Sequence, residues 1–359
     1  MSGPVPKPGI LDIAPYVPGR ARIDGVARPL KLSANENPFG CSEAARDAYL
    51  AASSELHLYP DANTSRLRAA IADKYKLEPE RLVFGAGSDE IFAFAAQAFL
   101  GPGDNAVQPQ FGFAAWVIAV AATGAVMKSA PEHNFVVDVD AIIAAVDENT
   151  RVVFIANPAN PTGTYLPFSE IERLHAGLPD RVLLVLDGAY AECAVGLDGF
   201  SDGLEWSRDK KNVLVTRTFS KMYGLASLRI GWAYGPAEVV SALNRIRLPF
   251  SVPRAGEAAA VAALGDDAFV QRSVAACDQG CRDIDTALRS WSIQTLPSAT
   301  NFVTARFDNA EGVTAALAQR GILVRHLRNY GMPDWLRISI GAPEDNQRVI
   351  AALGEVLRR

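Results

Sequence analysis

Between residues 40 and 250, short apolar runs alternate with stretches whose apolar positions recur every three or four residues. The runs cover 82–84, 105–108, 151–156, 182–186, 212–216 and 230–234. Several are apolar almost without interruption, as strands buried on both faces must be. The periodic stretches between them predict amphipathic helices. Strands alternating with helices predict an α/β fold with a mainly parallel, doubly wound sheet. Gly101-Pro102-Gly103 and Gly235-Pro236 supply clear breaks between elements.

The pattern changes after a helix expected over 237–248. Pro249-Phe250-Ser251-Val252-Pro253 cannot continue it. The remainder predicts a helix over 254–290, strands near 302–307, 322–326 and 336–340, and helices between and after them. This is the signature of a smaller α+β unit. The first residues are rich in Pro and Gly and predict an extended arm. The expected organisation is therefore an arm over 1–35, a large domain over 36–248 and a small C-terminal domain over 249–359.

Composition narrows the function classes. Hydrophobic residues make up 49% of the 359, enough for two cores. The apolar runs are far too short to cross a bilayer, so no membrane association is expected. No basic segment leads into an apolar one at the N-terminus, so no secretory signal is expected either and a cytoplasmic location follows. The net charge of −5 and the absence of a Lys/Arg stripe argue against nucleic acid. Cys41, Cys193, Cys277 and Cys281 fit no disulfide or zinc pattern and are expected as reduced thiols. The four histidines are scattered, so no metal site is expected.

Ligands of open parallel sheets bind beyond the carboxyl ends of the strands. The residues found there are Gly85-Ala86-Gly87-Ser88-Asp89-Glu90, Asn157-Pro158-Ala159-Asn160-Pro161-Thr162-Gly163, Asp187-Gly188-Ala189-Tyr190, and Arg217-Thr218-Phe219-Ser220-Lys221 leading to Arg229. A dinucleotide fingerprint does not fit, because Glu90 stands where its third glycine belongs. Alone, each residue has an ordinary explanation: a helix cap for Asp187, a turn for Asn160, core for Phe111, a solvated surface for Lys221. Together they put a carboxylate, an amide, a phenol, hydroxyls, a lysine and an arginine on one rim.

That set matches the needs of pyridoxal 5′-phosphate. The phosphate needs N–H donors at a helix start, here Ser88-Asp89, with Thr218, Ser220 and Arg229 adding hydroxyls and a fixed charge. A protonated pyridine nitrogen needs a facing carboxylate, here Asp187, for which a cationic partner is expected. The phenolic oxygen needs donors, here Asn160 and Tyr190. The ring needs a stacking partner, here Phe111. The aldehyde needs an amine, and Lys221 supplies it.

In that order, Asn160-Pro161-Thr162-Gly163, Asp187-x-x-Tyr190, Ser220-Lys221 and Arg229 resemble the fold-type I pyridoxal phosphate aminotransferases. More narrowly, the chain resembles the histidinol-phosphate aminotransferase group nearly end to end. The segments that carry this are Pro15-Tyr16-Val17-Pro18-Gly19, Leu32-Ser33-Ala34-Asn35-Glu36-Asn37-Pro38, Tyr59-Pro60-Asp61, Gly87-Ser88-Asp89-Glu90, Asn301-Phe302 and Leu336-Arg337-Ile338-Ser339-Ile340-Gly341.

The resemblance implies amino transfer between a small-molecule amino donor and a 2-oxo acid, with Lys221, Asp187 and Tyr190 catalytic. It implies a homodimer with shared active sites, in which Tyr59 reaches the cofactor phosphate of the partner subunit. It also implies that Tyr16, Asn35, Arg325 and Arg337 bind substrate, Arg337 taking carboxylate and phosphate in turn. Three positions depart from the usual pattern: Gly188 stands for a Glu, Phe111 for a Tyr and Ala159 for an Asn. The alternatives are an aminotransferase of aromatic amino acids and, more distantly, a decarboxylase of a phosphorylated amino acid on the same fold.

Overall fold

The computed structural model describes residues 3–357. After the arm, the chain forms β1 (Leu30–Leu32), α1 (Glu43–Ala52) and α2 (Ser65–Tyr75). Next come β2 (Leu82–Gly85), α3 (Ser88–Phe99), β3 (Asn105–Pro109), α4 (Ala114–Ala121) and β4 (Val126–Ala130). A two-residue-stranded hairpin follows, β5 (Glu132–His133) and β6 (Val136–Val137), then α5 (Val139–Ala145), β7 (Thr150–Ala156) and α6 (Phe168–Gly177). Then come β8 (Leu183–Asp187), α7 (Ala191–Ala194), β9 (Val213–Thr218), β10 (Gly231–Tyr234) and α8 (Ala237–Ile246). The last part holds α9 (Arg254–Leu264), α10 (Asp267–Ser290), β11 (Phe302–Arg306), α11 (Ala310–Gln319), β12 (Ile322–His326), β13 (Trp335–Ser339) and α12 (Pro343–Leu357).

The large sheet has seven strands in the order β2-β10-β9-β8-β7-β3-β4. It is parallel except at β10, which runs antiparallel to both of its neighbours. The apolar runs are explained by what each face touches. Val153, Ile155, Leu184, Leu186, Val213 and Val215 join one core, with α2, α6 and α9. Their chain neighbours Val152, Phe154, Leu183, Val185 and Leu214 join the other, with α3, α4 and α8. Alternate residues thus enter different cores, and none of them can be polar. The expected doubly wound α/β sheet is what forms.

The second sheet has the order β1-β12-β13-β11 and packs against α10, α11 and α12. Here the chain departs from the expected divisions in two places. Residues assigned to the arm include β1, which pairs in parallel with β12 and so belongs to the small sheet. The helix expected over 254–290 is two helices. Gly265 ends the first, and the Asp266 side chain accepts from the Phe269 N–H to cap the second. Ala259, Ala260, Ala263 and Leu264 of α9 sit in a core of the large sheet. β4 was also not anticipated: it is an edge strand whose residues are mostly partly exposed, so it lacks an apolar run.

Candidate active site

The parallel register brings the strand ends to one level. Ala156 stands opposite Asp187, and Asp187 opposite Thr216. The loops that leave β7, β8 and β9 therefore emerge side by side, together with the start of α3. They and the second sheet enclose a cavity of about 430 Å³. Tyr16, Asn35, Ser88, Asp89, Asn160, Asp187, Tyr190, Thr218, Ser220, Lys221, Arg229, Arg325 and Arg337 all line it.

Asp187 is the last residue of β8 and is buried. Its Oδ1 accepts hydrogen bonds from the Thr216 hydroxyl and the Ala189 N–H, both at 3.1 Å. Burial pushes its carboxyl up to about 7. Among the described residues no Lys or Arg forms a salt bridge with Asp187, so its expected cationic partner is not a protein side chain. A buried carboxylate facing a cavity without a counter-ion is suited to a cationic ligand atom.

Lys221 follows β9. Its Nζ donates to the Ala34 carbonyl at 3.3 Å and lies 5.7 Å from the centre of the Tyr190 ring. Burial lowers its pKa to about 8, and the Arg337 charge adds to the effect. About half of such an amine is neutral at pH 8, against well under one per cent of an ordinary lysine. The Tyr190 hydroxyl accepts from Asn35 Nδ2 at 2.8 Å, so its own proton remains available to another oxygen. Asn35 is itself fixed: its N–H donates to Ser339 Oγ at 2.8 Å, and its carbonyl accepts from Asn301 at 2.9 Å.

An anion cradle lies at the other end of the cavity. Arg229 sits in a left-handed backbone conformation and donates to Asp89 at 2.9 Å and to Ser220 Oγ at 3.3 Å. It lies against Gly87, where φ is +85° and a Cβ would come within 2.3 Å of the guanidinium. The Thr218 hydroxyl accepts from the Ser220 N–H at 3.1 Å, which holds the turn. The first N–H groups of α3 complete the cradle.

Arg325 and Arg337 stand directly opposite each other on β12 and β13. They are 7% and 6% exposed, and among the described residues neither pairs with a carboxylate. Arg337 donates to Asn160 Oδ1 and, at 3.3 Å, to the Ser33 carbonyl. The bond to Asn160 leaves the Asn160 amide N–H group as a donor for a ligand oxygen. Arg325 donates to the Val17 carbonyl at 2.7 Å. The arm that carries Tyr16 is thereby tied to the site, and Gly19 allows it to pass close over Ser33.

Two expected residues do not line this cavity, Tyr59 among them, whose expected place is the partner subunit's site. Phe111 stacks on Phe135 at 5.4 Å, and the aromatic side chain of this turn that lines the cavity is Phe113. The tight Pro109–Gly112 turn points the two rings in different directions, with the Gly112 N–H bonded to the Pro109 carbonyl at 3.0 Å. Tyr59 is 78% exposed, stacks on Phe250 at 4.8 Å and does not reach this chain's cavity. Sequence reasoning also missed Thr216, which bonds Asp187, and Tyr330, which lines the cavity beside Tyr16. The doubled aromatic of Phe111-Gly112-Phe113 offers two candidates for the stacking ring; nothing in the sequence singled out Tyr330.

Comparison with known proteins agrees with this architecture. The family model described as aminotransferase class I and II matches residues 27–353. The histidinol-phosphate aminotransferase 1 of Caulobacter vibrioides is 50% identical, over 99% of this chain and 100% of the relative. A histidinol-phosphate aminotransferase of Rhodopseudomonas palustris is 47% identical, over 99% of each. Among solved structures, the histidinol-phosphate aminotransferase of Sinorhizobium meliloti in complex with pyridoxal-5′-phosphate is similar with a TM-score of 0.89 at 28% identity, covering 98% of this chain and 97% of that one. A Thermus thermophilus aspartate aminotransferase shares the fold, with a TM-score of 0.81 at 22% identity over 91% of each chain. This chain belongs to the class I and II aminotransferase family.

Proposed function

We propose that the protein transfers an amino group between histidinol phosphate and 2-oxoglutarate, with pyridoxal phosphate as cofactor. In the biosynthetic direction glutamate is the donor and imidazole-acetol phosphate the acceptor, a step of histidine biosynthesis in the cytoplasm. The observation that carries this reading is the Arg325–Arg337 pair, buried without carboxylate partners in the cavity that also holds Lys221. Like charges opposite each other on neighbouring strands are unfavourable unless an anion lies between them. A phosphate dianion engages both, and a carboxylate pairs with the planar fork of one. An aromatic amino acid brings one singly charged carboxylate in place of the phosphate dianion and leaves one guanidinium unmatched.

The residues present fit the cofactor. Asp187 would face its ring nitrogen, Asn160 and Tyr190 its phenolic oxygen, and Ser88, Asp89, Thr218, Ser220 and Arg229 would form its phosphate cradle. Lys221 would hold its aldehyde carbon, and Phe113 lines the cavity while Phe111 stacks on Phe135. When bound, the cofactor supplies an electron sink for the bond-breaking at the amino-bearing carbon. Lys221 would take the proton from that carbon and deliver it to the cofactor carbon that held the aldehyde, as a base whose lowered pKa suits neutral pH. Asp187, kept ionised by the cationic ring nitrogen, would hold that nitrogen's proton. Arg337 orients the carboxylate or phosphate, and Tyr16 closes the cavity from the arm.

The second subunit is part of the same proposal. Leu58, Tyr59, Leu248 and Phe250 are exposed apolar side chains, as an interface would require. In a homodimer Tyr59 reaches the cofactor phosphate of the partner subunit. Adding L-glutamate to the holoenzyme without acceptor tests the reading: the cofactor absorbance should change to that of its amine form. A decarboxylase would leave it in the aldehyde form.

The Asp187 environment gives a pH prediction. Its folded pKa of about 7 lies above the ordinary value of 3.8. The cofactor-free fold therefore loses stability as pH rises through that window, by about 4 kcal/mol in total. A cationic ring nitrogen removes the penalty. The gap in Tm between cofactor-loaded and cofactor-free protein should be wider at pH 8 than at pH 6. An equal gap would mean that Asp187 does not meet a cation.

A further inference from the structure

The turn that bears Phe113, the loop that bears Asn160 and the strand that bears Arg337 belong to separate elements, yet the β5–β6 hairpin touches all three. Its tip residues, Asn134 and Phe135, have φ of 52° and 64°. A left-handed conformation is strained for a phenylalanine and persists only where its surroundings enforce it. The Phe135 ring stacks on Phe111 at 5.4 Å and lies 4.6 Å from Trp335, tilted against it. Its carbonyl accepts from the Thr164 hydroxyl at 2.9 Å, in the loop that begins at Asn157. Trp335 is two residues before Arg337 on β13, so both point to the same face of the strand.

The base of the hairpin is tied as firmly. Glu132 Oε1 accepts from the Phe111 N–H at 3.1 Å, and the Glu132 N–H donates to Gln110 Oε1 at 3.3 Å. Glu132 Oε2 is buried without a hydrogen-bond partner. A strained aromatic and a half-satisfied buried carboxylate both cost stability, so neither is explained by stability alone. Neither residue lines the cavity.

We propose that the β5–β6 hairpin is a strut that fixes the distance of Arg337 from the Phe113 turn and the Asn160 loop, with Phe135 bearing on β13 and Glu132 anchoring the turn. Both are positioning residues. They act on how well the anionic group of the substrate is held, and leave the cofactor cradle around Arg229 untouched. The proposal rests on the reading of Arg337 as the anion-binding residue.

The test uses holoenzyme and L-glutamate, so it does not depend on which amine is preferred. Phe135→Ala should raise KM for L-glutamate about tenfold while the cofactor Kd stays within about twofold. Phe135→Leu, which keeps the bulk, should recover part of the loss. Glu132→Gln keeps an acceptor for the Phe111 N–H and should stay close to the wild type, whereas Glu132→Ala should follow Phe135→Ala. The proposal is overturned if KM is unchanged in Phe135→Ala, or if cofactor affinity and Tm fall in step with it. Should Phe135→Ala fail to fold, equal KM values in Glu132→Gln and Glu132→Ala overturn it instead. Arg337→Ala separates the two ideas: if it leaves KM unchanged, the anion-binding reading fails; if it alone raises KM, only the strut fails.

Discussion

Lys221→Ala is expected to lower turnover by about 10⁴-fold or more, at the upper end of what a positioned acid–base group contributes. The side chain has few duties other than chemistry. Its Nζ makes one protein hydrogen bond, to the Ala34 carbonyl, and no salt bridge among the described residues. Removing it also relieves the burial of an amine beside the Arg337 charge. The fold should therefore survive, with Tm close to the wild type, and the cofactor should still bind through the phosphate cradle and Asp187. Among the described residues no other amine in the cavity stands in its place: Lys31 lines the wall and is paired with Glu36 at 2.7 Å. A variant that retained a tenth of wild-type turnover would remove Lys221 from the mechanism.

Arg337→Ala should have the second largest effect, a loss of about 10³-fold in kcat/KM for either substrate, in line with removing one partner of a buried charge-assisted pair. Arg337→Lys keeps the charge but not the fork, and should recover only part of it. The substitution also frees Asn160, whose Oδ1 is held by Arg337, so cofactor spectra should shift slightly as well. Stability should move the other way. Removing one of two opposed guanidiniums relieves a repulsion across β12 and β13, and Tm of the ligand-free protein should not fall. Arg325→Ala should cost histidinol phosphate more than glutamate if, as proposed, the phosphate engages both groups.

The parts of the molecule legible in the sequence are those where burial leaves one choice of residue. β7, β8 and β9 read as apolar runs because both of their faces enter cores. Lys221, Asp187 and Asn160 stood out only together, as polar groups just past neighbouring runs whose ends lie at one level of the sheet. β1 and β4 were not: one is a three-residue strand whose partner lies nearly 300 residues away, the other an edge strand with water on it. The placement of α9 on the large domain was hidden for a related reason, since an alanine-rich helix fits many neighbours. Within the site, periodicity could not say which ring of Phe111-Gly112-Phe113 faces the cavity, because a turn of this tightness redirects consecutive side chains.

The most direct test of the proposed activity compares kcat/KM for histidinol phosphate with those for L-phenylalanine and L-tyrosine, each with 2-oxoglutarate as acceptor. A site built around two buried guanidiniums should prefer the phosphate-bearing amine by about 100-fold or more. Equal or higher values for the aromatic amino acids would contradict the assignment of Arg325 and Arg337 to a phosphate.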